Sequence, residues 1–287
     1  MGVPRVYSTG DAIFMLQIFP MDAIIKKNLL INEGFCMNLV QQELRTDGTS
    51  ALALHGFAMA CMLLDHAGAV FGNIVFLRCI GRLAFPIFVF LLVEGFRHTR
   101  DVRRYIARCF VFGLISEIPF DLALHDAFLE FSGQNVMWTM CIGLIAMALS
   151  KRADKFKTGP VFLLHLCIWF GACMLADFMR TDYAAAGVLL IGLFYTIRQF
   201  GSGFYVRCLF YSIMLFIWSA AFFPSPVIFS VFGFSIPMEA VSVLSVIFIA
   251  GYNGEPGPKS QLFKYARYLF YPAHLLVLGL IRMGVFS

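Results

Sequence analysis

Ten ionisable side chains stand within or at the ends of otherwise apolar runs: Asp65, His66, Arg82, Glu117, Asp121, His165, Glu239 and His274, with Arg78 and Asp182 nearer the run ends. An ionisable group at the centre of a lipid-embedded helix costs at least about 2.5–3.5 kcal/mol, so each of these needs a partner or a task. Their spacing is coherent. Arg78 and Arg82 are four apart, as are Glu117 and Asp121, which puts each pair on one helix face. His55 and His66, eleven apart, share a face three turns removed. Histidine titrates near neutrality and can carry a proton during acid–base catalysis. Asp65 and His66 are neighbours and project about 100° apart on a helix, so Asp65 is a poor partner for that imidazole and Glu117 or Asp121 is expected to orient it. For Arg82 and Glu117, spacing supports two readings equally: a plain ion pair between two helices, or part of a reactive pocket. A charged intramembrane pocket suits an enzyme or a transporter; a purely structural assembly factor would not need one.

The elements holding these residues follow from composition. Of 287 residues, 60% are hydrophobic and 14% charged, with a mean hydropathy of +0.80. Soluble domains run near 45–50% apolar and about 25% charged. The 33 Phe, 10 Tyr and 3 Trp exclude disorder. A net charge of +5 confined to loops gives no nucleic-acid-binding surface. Runs that are long and apolar on both faces exclude a membrane β-barrel. The fold class is therefore all-α, a polytopic transmembrane bundle whose solvent is the lipid bilayer. About nine spans are expected, at 51–73, 74–96, 105–123, 135–150, 160–179, 183–199, 204–223, 227–251 and 267–285. The first two form a tight hairpin. The eight cysteines show no CxxC pair and no metal-ligand spacing; those in the apolar runs read as small buried hydrophobes, and no metal is expected. Residues 1–50 differ from the rest and read as an N-terminal cytoplasmic or interfacial segment, while 51–287 read as one domain.

Lys and Arg set the expected orientation. Loops 97–104, 151–157, 198–207 and 252–267 carry thirteen of them, against Arg78, Arg180 and Arg282 on the other side. The rich side is expected to be cytoplasmic, with the N-terminus inside and the C-terminus outside. At 1.5 Å per residue, His66 lies roughly 22 Å in from that side, Glu117 roughly 20 Å and Asp121 roughly 26 Å, while Arg82 lies roughly 12 Å below the other face. All four fall in the outer half of a core about 30 Å thick. His274, counted from residue 267, falls in the inner half.

A set of motifs adds to this. Asp65-His-Ala-Gly68, Leu77-Arg-Cys-Ile-Gly-Arg-Leu-Ala-Phe-Pro-Ile-Phe88 and Glu94-Gly-Phe are followed by Thr99-Arg100, Tyr105-Ile-Ala-Arg108 and Ser116-Glu-Ile-Pro-Phe-Asp121. Gln134-Asn-Val136, Asp182-Tyr183, Tyr252-Asn-Gly254 and Tyr268-Leu-Phe-Tyr-Pro-Ala-His-Leu275 complete them. In order and spacing, over about residues 51–285, they resemble the TraX family.

The resemblance implies an integral-membrane acetyltransferase, since the family takes its name from the conjugation protein that acetylates the N-terminus of F pilin. It is similar to wider groups of membrane acyltransferases built on an intramembrane histidine, with acetyl-CoA as the usual donor. On that reading His66 is the base, Arg82 or Arg78 polarises the thioester carbonyl, and Glu117 or Asp121 fixes the imidazole. Arg78, Arg97, Arg100, Arg104 and His274 are candidate contacts for acetyl-CoA. Asp65, Gln134, Asn135 and Asp182 are candidate contacts for an amine or hydroxyl acceptor, a pilin-like N-terminus or an envelope component. Positive-inside topology alone explains the basic loops and is the favoured reading of them over CoA binding. For His274 the plainer role is a hydrogen bond to a neighbour. The expected location is the bacterial cytoplasmic membrane.

Overall fold

The computed structural model describes residues 48–156, 161–199, 203–224, 226–231, 234–258 and 260–286. Residues 1–47, most of the expected N-terminal segment, lie outside the described residues, as do Lys157 and Lys259 of the basic loops. Thr49–Ser287 forms one compact unit.

The unit is an all-α bundle. In chain order it comprises α1 (Ala51–Val70), α2 (Val75–Gly81), α3 (Ala84–His98), α4 (Val102–Leu124), α5 (Val136–Ala153), α6 (Val161–Phe178), α7 (Ala184–Gln199) and α8 (Phe204–Phe222). Strands β1 (Val227–Val231) and β2 (Phe234–Pro237) follow, then a 3-10 helix (Met238–Leu244), α9 (Ser245–Ala250) and α10 (Gln261–Phe286). Among the described residues, five segments are long and apolar enough to cross a membrane: Ala51–Val70, Val75–His98, Val136–Ala153, Val161–Phe178 and Phe204–Phe222. Ala184–Gln199 and Met238–Ala250 are apolar but shorter.

The eighth expected span is corrected. Residues 227–237 are an antiparallel hairpin, with Val231 opposite Phe234 and Val227 opposite Pro237. The β-branched and aromatic residues between Pro226 and Pro237 favour extended backbone. Helix resumes only at Met238.

Helix α3 is the axis of the bundle. Eleven of its fifteen residues are buried, as expected of a helix apolar all round. It packs against α1, α5, α7 and α9. Helix α6, by contrast, buries only Ala176 and presents its apolar sides outward. Caps mark the starts of three helices: the side chains of Ser50, Asp101 and Asn135 accept from the backbone N–H of Ala53, Arg104 and Met137.

The hairpin of α1 and α2 explains two motif glycines. A Cβ on Gly81 would lie 2.2 Å from Asp65 Cβ, and one on Gly68 would lie 2.9 Å from Leu77 Cβ. Both helices can therefore approach only through hydrogen atoms, and that approach brings Asp65 against Arg82.

Candidate functional site

A cavity of about 530 Å³ lies inside the bundle. Its lining on α3 runs Ala84, Phe85, Phe88, Leu91, Leu92, Gly95 and His98, one face of the helix over its whole length, about 21 Å at 1.5 Å per residue. One end is bordered by Asp65, His66, Arg78, Arg82, Asp182 and Tyr183. The other end, beside the Arg-rich loop after α3, is bordered by His55, His98, Thr99, Tyr105, Arg108 and Arg267.

One wall at the first end is built of charges. Arg82 Nη2 donates to Asp65 Oδ1 at 2.5 Å, and Nη1 donates to Glu239 Oε2 at 3.1 Å and to the Tyr183 hydroxyl at 3.2 Å. Its Nε reaches the carbonyl of Arg78 at 3.3 Å. Arg82, Glu239 and the imidazole of His66 are buried. Buried charges persist only when paired and hydrogen-bonded, and this cluster meets that condition for Arg82. Arg78 differs: its Nε is buried without a hydrogen-bond partner, and the nearest carboxylate oxygen, on Asp65, is 3.6 Å away.

The expected Arg82–Glu117 pair is corrected. Glu117 accepts from Trp138 Nε1 and, at 2.7 Å, from Asn135 Nδ2. It anchors the start of α5 rather than the pocket. Asp121 is corrected likewise: it accepts from the backbone N–H of Glu130 at 2.8 Å and lies 3.2 Å from His125 Nδ1, fixing the loop after α4. Neither acid lines the cavity. A shared face on α4 was a correct reading of spacing, but that face packs on the start of α5 and its preceding loop.

The group that meets His66 is His274. Their Nδ1 and Nε2 atoms are 2.7 Å apart, across 208 residues of sequence. His274 Nδ1 in turn lies 2.7 Å from the carbonyl of Phe270. A carbonyl only accepts, so the network assigns the proton on His274 to Nδ1. In a neutral ring Nε2 then accepts, and His66 Nδ1 must donate to it. The remaining lone pair of His66 sits on Nε2, which has no protein partner among the described residues, and His66 lines the cavity. The inner-half depth for His274 is also corrected. Helix α10 starts at Gln261 rather than 267, because Lys264 and Arg267 belong to its first turns. His274 is then roughly 20 Å along its helix, level with His66. Both helices start at the same face, where Ala51 N bonds the Glu255 carbonyl at 2.8 Å.

The other expected contacts divide. Asp65, Arg78 and Asp182 line the cavity; Arg97, Arg100, Arg104, Gln134 and Asn135 do not. Arg97 is exposed, Arg104 pairs with Asp101 at 3.0 Å, and Arg100 faces a separate groove between α4 and α5. Gln134 staples two loops through its backbone: its N–H donates to the Arg180 carbonyl at 2.9 Å and its carbonyl accepts from the Asp182 N–H at 2.7 Å. Asn135 is a buried helix cap whose amide also donates to Gly113 O at 2.9 Å. His165 pairs with Asp154 at 2.9 Å, far from this cavity's lining. Asp182 lies in the connection between α6 and α7, where burial pushes its carboxyl up to about 6.

The cations at the second mouth are Arg108 and Arg267, which the loop-based reading did not select. Arg108 donates to the Tyr268 hydroxyl at 3.3 Å and lies over the Tyr105 and Tyr268 rings. Arg267 Nη1 stands 3.5 Å from His55 Nδ1. That nitrogen already serves Ala51 O at 2.8 Å, so it accepts nothing from Arg267. Among the described residues neither arginine is in an ion pair. The signal was present in Tyr105-Ile-Ala-Arg108 and Tyr268, whose members meet here.

Apolar helices around a polar, histidine-walled cavity define an integral membrane protein with a built internal site. The chain belongs to the TraX family: the model of the TraX protein family matches residues 50–282. It is also similar to the probable fimbrial assembly protein FimC, serogroup H1, of Dichelobacter nodosus, with 30% identity over 248 residues, 82% of this chain and 96% of that protein. No solved structure matches.

Proposed function

We propose that the protein transfers an acetyl group from acetyl-CoA to an amine or hydroxyl acceptor inside the bilayer. The observation that carries this reading is His66, with Nδ1 tied to His274, lining a cavity that it shares with Arg78, whose Nε has no hydrogen-bond partner.

In the proposed reaction the acceptor nitrogen or oxygen attacks the thioester carbonyl carbon while His66 Nε2 takes its proton. Negative charge builds on the carbonyl oxygen, and the Arg78 guanidinium stabilises it. The C–S bond then breaks, and His66 returns the proton to the departing thiolate. Arg82, already committed to two carboxylates and a phenol, holds the wall in place. Asp182 and Asp65 supply negative charge where an acceptor ammonium would enter. Arg108 and Arg267 match the phosphates of the donor, since guanidinium forks suit phosphate oxygens. The cavity between them and His66 gives the pantetheine arm its route.

This assigns the basic face to the cytoplasm, where acetyl-CoA is made, with the protein in the bacterial cytoplasmic membrane, the N-terminus inside and the C-terminus outside. The similarity to a protein named for fimbrial assembly favours a protein acceptor with a free N-terminus at the envelope, such as a pilin.

The test is acetyl-CoA turnover by the purified protein in detergent, with CoA release followed on adding amine or hydroxyl acceptors. Acceptor-dependent release supports the reading. Arg108→Gln and Arg267→Gln are each expected to raise KM for acetyl-CoA about fivefold to tenfold while leaving kcat near its original value, the effect of losing one charge-assisted contact. Absence of any CoA-dependent reaction, together with solute uptake in liposomes, would replace it with a transporter.

A further inference from the structure

A second groove, of about 430 Å³, lies on the outside of the bundle between the start of α4 and the end of α5. It shares no lining residue with the histidine cavity. Five cations border it: Arg100, Arg103, Lys151, Arg152 and Lys155. All five are exposed, and none is in an ion pair among the described residues. The acid in the groove is Asp101, and it is already spent: its carboxylate caps α4 through the Arg104 N–H at 3.0 Å and pairs with the Arg104 guanidinium at 3.0 Å.

Below the cations the groove is apolar. Its walls are Ile106, Ile145, Ala148 and Leu149, and Ile145 and Leu149 are 40% and 42% exposed. Ile145, Ala148 and Leu149 stand on α5, one of the helices long and apolar enough to cross a membrane, where exposed apolar side chains meet acyl chains. Positive charge at the helix ends, with a lipid-facing apolar trough directly beneath, matches a molecule that is anionic at one end and hydrocarbon at the other. A soluble nucleotide would use the cations and leave the trough bare. Positive-inside topology accounts for basic loops as such, but not for their convergence on one trough.

We propose that this groove binds a phospholipid whose headgroup carries net negative charge, the phosphate seated among Arg103, Lys151 and Arg152 and one acyl chain lying along Ile145 and Leu149. Each Lys or Arg near an anionic lipid surface contributes about 1 kcal/mol, or roughly fivefold in affinity.

The experiment titrates the full-length protein, delipidated in neutral detergent, with phosphatidylglycerol and with phosphatidylcholine, reading bound lipid by native mass spectrometry. Phosphatidylglycerol is expected to bind and phosphatidylcholine to bind at least tenfold more weakly. The triple variant R103Q/K151Q/R152Q is expected to weaken phosphatidylglycerol binding on the order of 100-fold. Should the triple variant fail to fold, R152Q alone is expected to cost about fivefold. Equal affinity for the two lipids, or full phosphatidylglycerol affinity in a folded variant, would overturn the proposal. Displacement of the lipid by coenzyme A would reassign the groove to a soluble phosphate compound and overturn it as well.

Discussion

The two walls at the inner end of the cavity are built on opposite principles. On the α2 side, Arg82 is densely paired: two carboxylates, a phenol and a carbonyl take four of its five N–H donors. On the α1–α10 side, two histidines form a chain that ends in a nitrogen with no protein partner among the described residues. A densely paired charge cluster resists change, because removing one member strands the others in a medium of low dielectric. An unsaturated one leaves valence for a reactant. On the proposed reading, the Arg82 cluster gives stability, while His66 and the neighbouring Arg78 give the chemistry.

That assignment breaks first at His66. His66→Ala is expected to lower acetyl transfer by about 10²–10⁴-fold, the usual worth of a positioned acid–base group. It should leave the melting temperature in detergent within a few degrees of the original, since the cavity already supplies space around the ring. His55→Ala, at the far mouth, is expected to cost much less. Near-full transfer by His66→Ala would remove the histidine wall from the chemistry.

Arg82→Ala tests the other wall. It leaves Glu239 without its cation and Asp65 with only the more distant Arg78. The expected cost is about 3–5 kcal/mol of stability, read as a lowered thermal midpoint in detergent. An unchanged midpoint would mean that the cluster is not holding α2 to the 3-10 helix, and the contrast between the walls would fail.

How far the sequence reached follows the same division. The apolar runs marked most helices, because a helix in lipid must be apolar along a length set by bilayer thickness. The charged residues in those runs were legible as a pocket because their cost demands a partner. Partner identity was not legible. Glu239 reaches Arg82 across 157 residues and His274 reaches His66 across 208, and helical spacing speaks only to neighbours within a helix. Glu117 looked suitable because it shares depth with Arg82, but depth along an axis does not say which way a face turns. The misplaced start of α10 had a different origin. Lys264 and Arg267 were read as loop because they are charged, although long basic side chains at a helix end extend to the membrane surface while their backbone stays helical.

Asp182 lies between the two walls and lends itself to a pH experiment. Burial raises its carboxyl to about 6, above the usual carboxylate range. A raised folded value means that the acid favours folding when protonated. Its contribution is therefore full below about pH 4 and is lost as pH rises through about 6. Asp182→Asn is expected to match the original protein in thermal midpoint near pH 4 and to exceed it near pH 8, by about 3 kcal/mol at most. Equal midpoints at both pH values would show that the carboxyl is better solvated than its surroundings imply.

The smallest expected effect is the most diagnostic of the histidine chain. His274 does not line the cavity, so on the proposed reading it acts through His66 as a positioning residue: the carbonyl of Phe270 fixes its proton on Nδ1, and its Nε2 accepts a hydrogen bond from His66 Nδ1. His274→Phe keeps the ring but removes the acceptor. His66 then distributes its proton between both nitrogens, and the fraction with a lone pair on Nε2 falls. A neutral hydrogen bond is worth about 0.5–1.5 kcal/mol, so kcat should fall roughly twofold to tenfold, with KM for acetyl-CoA unchanged because the donor contacts lie elsewhere. His274→Gln places an amide oxygen in reach of the same N–H and should recover most of the loss. A merely packing role predicts the reverse order, the ring-shaped Phe being tolerated and the flexible Gln not. If Phe matches the original protein while Gln is impaired, His66 is not held by a proton donated to His274, and the contrast between a closed and an open wall rests on the wrong pair of rings.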